Sequence, residues 1–314
     1  VASLQVVSRI SHPLSPVVGA ILLAVPWLVV LLAGLGLGTL STVFITGLSI
    51  LGASFLLAWA AETAEKDVPR AFALAVLAVL AVAPEYAVDA LFAFGAGAKG
   101  ATSQACSALS PETIEASATT LARGCHEGNL AVANMTGANR ILIGIGWAGI
   151  AAFTVWRAAH TSDPAVEKRD GWLANRINLD RDLATEITFL FLATVWAFFV
   201  PLNGGIDILD MVVLVGLYVV YIGIILKGDI ETEEEHIGVP AYLQEYVKHI
   251  RIPVVLGLFA FSGAIILTAV EPFATGLEHL GEAIGVPGFF MIQWIAPLAS
   301  ESPELIVVAV LVWK

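Results

Sequence analysis

Charged residues are scarce in this chain of 314 residues. Asp, Glu, Lys and Arg together make up 13% of it, and none of the four occurs from Ser11 to Ala61. A soluble domain carries about 25% charged residues, whereas here the apolar class reaches 58% and the mean hydropathy is +0.86. The scarcity of charge excludes an ordinary soluble domain and indicates a protein that crosses a membrane several times.

The small numbers of cysteines and of basic residues limit the functions that this protein can have. The sequence has two cysteines, no cluster of cysteines and histidines, and 15 basic residues against 27 acidic ones. Without such a cluster, no site for a softer metal competes with oxygen ligands. The net charge of −12 argues against nucleic acid as a partner and suits the attraction of cations. We expect no enzyme activity and no cofactor.

Runs of low charge that are long enough to span a bilayer follow one another along the chain. The turn-like Gly36-Leu37-Gly38-Thr39 divides the first run into two lengths of about 20 residues each. Six more runs lie at about 70–95, 128–156, 184–201, 207–227, 252–271 and 288–313. The sequence therefore predicts an all-α polytopic membrane protein with about eight transmembrane helices. The first run is too long for a signal peptide and counts as a helix.

The basic residues predict a cytoplasmic N-terminus, because Lys and Arg near span ends are retained on the cytoplasmic side. In this orientation Lys99 and Arg123 lie in outer loops and Arg140 lies within a span. The remaining twelve are cytoplasmic, namely Arg9, Lys66, Arg70, Arg157, Lys168, Arg169, Arg176, Arg181, Lys227, Lys248, Arg251 and Lys314. We expect a multi-pass protein of the cell (plasma) membrane whose partners are the lipid bilayer and inorganic cations. Its oligomeric state stays open.

Both cysteines, Cys106 and Cys125, fall in the polar loop 96–126, which this orientation places outside. The outer side permits a disulfide, but spacing alone does not determine pairing. A disulfide and two free thiols both remain open.

Two carboxylates stand beside proline inside predicted spans, in Ala83-Pro84-Glu85 and in Ser302-Pro303-Glu304. An acidic residue at the centre of a spanning helix costs about 2.5–3.5 kcal/mol on insertion scales, and proline removes a backbone hydrogen bond. Each motif follows a Val-Pro pair, Val68-Pro69 or Val286-Pro287. The predicted orientation makes the two spans run in opposite directions. The pattern predicts an inverted repeat of the kind found in secondary transporters, with chance similarity of apolar helices as the alternative.

Glu85 and Asp89 are four residues apart and share a helical face. Such a carboxylate pair can bind a hard cation or exchange protons. The alternative for Asp89 is a position nearer the outer water, where it is simply solvated.

Glu301 and Glu304 also share a helical face, beside the hydroxyls of Ser300 and Ser302. These oxygen ligands are of the type that Ca²⁺ prefers. Helix capping is the structural alternative for the serines and for Glu301.

The span at 128–156 contributes three amides, from Asn129, Asn134 and Asn139, on a helix rich in small residues. Asn134 is the best candidate ligand of the three. An interfacial role stays open for Asn129, and a bond to neighbouring backbone for Asn139. Arg140 either neutralises a carboxylate or extends to water.

Together these motifs resemble the cation/Ca²⁺ exchangers, a superfamily that includes sodium/calcium and calcium/proton exchangers. Its inverted α-repeats carry a Pro-Glu motif, often GTSLPE, followed on the next helix by GNxxGSN. The matching stretches here are Ala81-Val82-Ala83-Pro84-Glu85, then Ala133-Asn134-Met135-Thr136-Gly137-Ala138-Asn139, and in the second repeat Ser300-Glu301-Ser302-Pro303-Glu304. The resemblance implies that Glu85 and Glu304 are the central Ca²⁺ ligands, that Asn134 supports them, and that 52–61 and 263–271 belong to gating helices.

Departures from the motif favour the calcium/proton branch. The Thr and Ser that help to bind Na⁺ in sodium-coupled members are Ala81 and Val82 here, while a second-repeat Ser is the titratable Glu301. An extra N-terminal span and an acidic connection also resemble that branch, although it more often has Gly-Asn before its glutamate. We therefore expect a secondary antiporter that exchanges Ca²⁺ or a related cation for protons. The alternatives are a Na⁺-coupled calcium exchanger and, less favoured, a cation channel or a non-transporting scaffold.

The predicted organisation has six parts. They are an N-terminal extra transmembrane helix (1–40), first α-repeat helices (41–156), a cytoplasmic linker (157–182), two further transmembrane helices (183–227), an acidic cytoplasmic connection (228–251) and incomplete second α-repeat helices (252–314). The acidic connection either forms an exposed, self-repelling face or gathers Ca²⁺ or protons. The resemblance implies a partner of the Asn134 helix and two spans beyond Lys314, so we expect a longer protein or another segment to complete the site.

Overall fold

The computed structural model describes residues 12–68, 79, 82–159, 166–169, 175–178, 183–225, 227 and 238–313, and these are mostly helical. Two compact units are present. One comprises 1–94, 129–141 and 233–304, and the other comprises 95–128, 142–232 and 305–314. Both Pro-Glu motifs and Asn134 belong to the first unit.

The first unit begins with an antiparallel pair of apolar helices, α1 (Ser15–Ala33) and α2 (Thr39–Ala64), with a 3₁₀ turn at Glu65–Asp67. α1 ends at Gly34, whose φ of 62° is left-handed and suits glycine. The helices approach closely at Gly52, where a Cβ atom would lie 2.4 Å from the Ala20 carbonyl oxygen. The predicted break near residue 36 is confirmed.

Two long helices complete the framework of the first unit. α11 (Lys248–Ile284) packs along α2, and α12 (Gly288–Trp313) follows it. The core between α2 and α11 is apolar and includes Leu57, Ile265 and Phe273. The apolar run of 252–271 locates the span but not the helix end, because buried Phe273 and Leu277 continue the packed face beyond Glu271.

The helix that carries Asn134 also exceeds its predicted span. α6 (Thr120–Asn139) continues through a π-helical stretch, Arg140–Trp147, into α7 (Ala148–Ala158). The apolar run marks only the part able to cross a bilayer, whereas the first turns of α6 carry polar residues such as Arg123 and Glu127. Ahead of α6 come α3 (Ala83–Ala98) and the short helices α4 (Ser103–Ser107) and α5 (Pro111–Glu115).

The remaining elements are short or lipid-exposed. A two-residue antiparallel ladder joins β1 (Val166–Glu167) to β2 (Arg176–Ile177) within the predicted linker. α8 (Leu183–Ala197), a 3₁₀ turn at Val200–Asn203, and α9 (Ile208–Ile225) follow. α8 and α9 bury almost none of their apolar side chains within the protein, as expected for helices that are surrounded by lipid. The small helix α10 (Val239–Gln244) precedes α11.

Six helices of the described part are long and apolar enough to cross a membrane, at Ser15–Ala33, Thr39–Asp67, Thr120–Ala159, Leu183–Leu202, Ile208–Ile225 and Lys248–Ile284. They match six of the eight predicted spans, and an all-α polytopic membrane protein is confirmed. The predicted span at 70–95 falls partly outside the described residues, with α3 covering its later portion. The predicted span at 288–313 is the 26-residue helix α12.

A disulfide joins Cys106 to Cys125 and ties α4 to α6. Nearby, Glu127 accepts hydrogen bonds from Lys99 at 2.7 Å and from Arg123 at 3.1 Å. The sequence left open whether these cysteines form a disulfide or stay as two free thiols, and the structure contains the disulfide.

Replacing both cysteines by serine is expected to lower the free energy of unfolding by about 3 kcal/mol, because the bridge closes a loop of roughly 20 residues in the unfolded chain. Thermal denaturation in detergent measures the loss. The wild-type protein in reductant should show a similar shift, and an unchanged melting temperature in both samples would contradict the prediction.

A buried ion pair fastens α11 to the end of α2. Arg251 binds Asp67 through two bonds of 2.7 Å and also donates to the carbonyls of Gln244 and Tyr246. Two further bonds join Gln244, at the end of α10, to the end of α2: Lys66 donates to the Gln244 carbonyl, and the Gln244 side chain donates to the Glu62 carbonyl. Although 228–237 lies outside the described residues, the end of the acidic connection is thus held against α2.

Arg251→Met is expected to destabilise the protein by about 3 kcal/mol, because it leaves the Asp67 carboxylate and the Tyr246 carbonyl without the guanidinium donor. The double variant Asp67→Leu/Arg251→Met has no lone charge and should lose less. Thermal denaturation of both variants decides the point, and equal losses would show that the unpaired charge is not the cause.

Candidate cation site

The two Pro-Glu motifs, 219 residues apart in sequence (304 minus 85), meet in the first unit. The Glu85 carboxyl at the start of α3 lies close enough to Ser300 and Glu301 of α12 to interact with their side chains, and the charge of Glu304 acts on it. Glu301 in turn experiences the charges of both other carboxylates. The fold therefore gathers three of the predicted acidic ligands around one place.

Burial makes this cluster unusual. Glu85 is 7% exposed and Glu301 is 2% exposed. Within the described part of the chain, the buried Oε1 atom of Glu85 has no hydrogen-bond partner. A buried polar atom without a partner carries the full cost of its lost hydration. A cation or a proton at this carboxylate would remove that cost.

Two prolines, Pro297 and Pro303, lie inside α12 and make backbone oxygens available to a cation. A proline inside a helix lacks the N–H that would bond to the carbonyl four residues earlier, which frees the carbonyls of Gln293 and Ala299. The hydroxyl of Ser300 donates to the carbonyls of Ala296 and Pro297, and that of Ser302 donates to Leu298. The serine oxygens keep acceptor capacity for other partners.

Asn134 completes the arrangement from α6. Its side chain is 1% exposed, and its amide nitrogen donates to Asp89 Oδ1 at 3.0 Å and to the Glu85 backbone carbonyl at 3.4 Å. Asp89 is half-buried, so the alternative of a simply solvated Asp89 does not describe it. The amide that the sequence ranked first among three is the one placed beside the carboxylates.

The other two amides do not join the site. Asn129 is exposed, and Asn139 donates to the Met135 carbonyl one turn back, which matches the alternative role considered for it. Arg140 is exposed and begins the π-helical stretch.

A close helix crossing supports the cluster. The small-residue face of the Asn134 helix allows such packing, but the sequence did not identify Gln293 as the partner. Gly137 of α6 lies against the backbone of Gln293 in α12, where a Cβ atom would be 2.0 Å from the carbonyl oxygen. The Gln293 side chain, 2% exposed, donates to the Thr136 hydroxyl at 3.1 Å. A lone glutamine in an apolar span was the available signal, because such residues form hydrogen bonds between helices.

The cluster is not a ready-made metal cage. Among the residues that the structure describes, no three His, Cys, Asp or Glu side chains are arranged to hold a metal ion. The roles of Glu85, Glu304, Asn134, Glu301, Ser300, Ser302 and Asp89 as ligands stay predictions.

Comparisons with known proteins agree with this architecture. A family model described as sodium/calcium exchanger protein matches residues 99–227, which include the Asn134 helix but neither Pro-Glu motif. The crystal structure of the H⁺/Ca²⁺ exchanger CAX is similar to this chain, with 41% sequence identity and a TM-score of 0.74. The similarity covers 94% of this chain and 65% of that one, so the chain spans just under two thirds of that exchanger's length. Comparison with curated proteins gives no significant match.

Proposed function

Because the chain is similar to the sodium/calcium exchanger family model and to an H⁺/Ca²⁺ exchanger, we propose that it belongs to the calcium/proton branch of the cation/Ca²⁺ exchanger superfamily and forms the core of a secondary antiporter. The antiporter exchanges Ca²⁺, or a related cation, for protons by alternating access. The supporting observation is the buried Glu85 carboxylate, with its unpartnered oxygen, beside Glu301 and Glu304.

Exchange follows from charge balance at this cluster. Carboxylates that are close together in a poorly hydrated site repel one another, so an empty and fully ionised cluster is costly. One Ca²⁺ ion compensates two negative charges, and two protons do the same. Either occupant neutralises the cluster. The free energy of the site therefore stays lowest when Ca²⁺ occupies it in one direction of transport and protons occupy it in the other.

The protein atoms supply part of a Ca²⁺ shell. Ca²⁺ takes six to eight oxygen ligands and accepts flexible geometry. Glu85, Glu304 and the Asn134 amide oxygen are the proposed central ligands, with Glu301 and the hydroxyls of Ser300 and Ser302 nearby. Water and freed carbonyl oxygens of α12 would complete the shell, which is compatible with the absence of a closed cage among the described side chains.

Proton coupling is favoured over sodium coupling by residue type. Ala81 and Val82 lack the hydroxyls that the sodium-coupled motif provides, and Glu301 adds a group that can carry a proton. We place the protein in the plasma membrane with a cytoplasmic N-terminus, on the distribution of its basic residues.

Proteoliposomes that contain the intact protein and a trapped pH dye test this proposal. Addition of Ca²⁺ outside, in buffers free of Na⁺, should make the interior alkaline, because protons leave in exchange for the Ca²⁺ that enters. A strict requirement for Na⁺ would assign the protein to sodium-coupled exchange. Repeating the assay with Mg²⁺, Mn²⁺, Na⁺ and K⁺ identifies the transported cation, and current without proton movement would indicate a channel.

A further inference from the structure

The side-chain amide of Asn134 is held in one orientation by two groups of α3. The Glu85 carbonyl can only accept a hydrogen bond, and the Asp89 carboxylate also accepts. The amide nitrogen must therefore face α3, as it does at 3.4 Å and 3.0 Å. Both of its hydrogens are then directed at α3, and the amide oxygen is turned toward other partners.

Only the oxygen of an asparagine can bind a cation, so orientation decides whether Asn134 attracts or repels Ca²⁺. The Glu85 carbonyl is the longer and weaker of the two contacts. Asp89 Oδ1 provides the shorter bond, to a side chain that is 1% exposed and cannot turn to water instead. The orientation of Asn134 therefore depends chiefly on Asp89.

We propose that Asp89 is a positioning residue, which fixes the Asn134 amide with its oxygen toward the transported cation, rather than a ligand itself. This inference rests on the proposed function. Partners that orient a ligand in this way typically change metal affinity by about 10–100-fold when they are replaced.

Asp89→Asn is the sharpest substitution, because it keeps the size of the side chain while it removes one negative charge and adds a hydrogen-bond donor. An asparagine at this position can donate as well as accept, so the Asn134 amide is free to turn over and present its nitrogen to the cation. Titration calorimetry with Ca²⁺ should show a Kd raised about tenfold, with an unchanged melting temperature.

A double-mutant cycle separates positioning from direct ligation. In an Asn134→Ala background, Asp89→Asn should raise the Kd much less than it does in the wild type, because no amide is left to orient and only the loss of one negative charge remains. A full additional loss in that background would make Asp89 a ligand and overturn the proposal. An unchanged Kd in Asp89→Asn alone, or a loss of affinity accompanied by a large fall in melting temperature, would also overturn it.

A readout that needs no Ca²⁺ keeps this inference apart from the proposed function. In protein labelled with ¹⁵N-asparagine, the side-chain NH₂ signals of Asn134 are identified by their loss in Asn134→Ala. Asp89→Ala should shift those signals and speed their exchange with water. Unchanged signals would refute the positioning role, whereas wild-type protein that binds no Ca²⁺ while the signals do shift would refute the proposed function.

Discussion

Glu85→Gln is expected to reduce Ca²⁺-driven proton flux by about 100-fold or more, since a direct ligand should matter at least as much as the partners that orient ligands. Glutamine keeps the shape of the side chain but can neither neutralise a divalent cation nor carry a proton between the two sides. The buried position near Glu301 leaves little room for water to take over the role. The pH dye trapped in the proteoliposomes measures the loss of proton flux.

The matched control is Glu112→Gln, the same chemical change in the exposed helix α5. It should transport like the wild type. Glu304→Gln tests the other half of the proposed site and should resemble Glu85→Gln. Normal flux in both site variants would show that the carboxylate cluster is not part of the transport pathway.

Gly137→Ala is expected to destabilise the first unit by about 3 kcal/mol, the upper part of the range for overpacked sites. The new methyl group would lie 2.0 Å from the Gln293 carbonyl oxygen, which is backbone and cannot swing aside. α6 and α12 must then separate, and this moves Asn134 away from the carboxylates. Both the melting temperature and Ca²⁺ affinity should fall.

Gly128→Ala, on the same helix, is the control for the change of residue type. A Cβ atom there meets nothing closer than Ala96 Cβ at 3.8 Å, and alanine is the better helix former by about 1 kcal/mol. This variant should be as stable as the wild type or more so. If the two alanine variants behave alike, the close crossing at Gly137 is not what holds the helices in place.

The sequence located the acidic residues of the candidate site better than it described their packing. Glu85 and Glu301 could be found because a carboxylate inside an apolar span has few explanations, and the structure brings them together across more than 200 residues. Asn134, the amide favoured as a ligand, lies beside Asp89 and Glu85, and its role as a ligand stays a prediction. No sequence pattern showed that its amide nitrogen would be held by Asp89, because that depends on how α3 and α6 are placed.

Helix ends and crossings were less accessible to prediction. The apolar runs located six spans, but α6 begins well before its run and α11 continues past Glu271 to Ile284. Hydropathy reports the part of a helix able to lie in lipid, whereas the length of the helix depends on packing by residues such as Leu277. The contact of Gly137 with Gln293 joins two segments that are distant in sequence. The small residues of α6 indicate that close packing is possible, but not which residue lies opposite.

The most direct test of the account is uphill transport driven by a proton gradient. Proteoliposomes that contain the intact protein and equal Ca²⁺ on both sides, without Na⁺, receive a pH jump, and internal Ca²⁺ is followed with a trapped indicator. Antiport at the Glu85–Glu301–Glu304 cluster predicts that Ca²⁺ accumulates against its own gradient on the acidic side, and that Glu85→Gln abolishes the accumulation. Ca²⁺ that moves only down its gradient, or only when Na⁺ is present, would contradict exchange for protons.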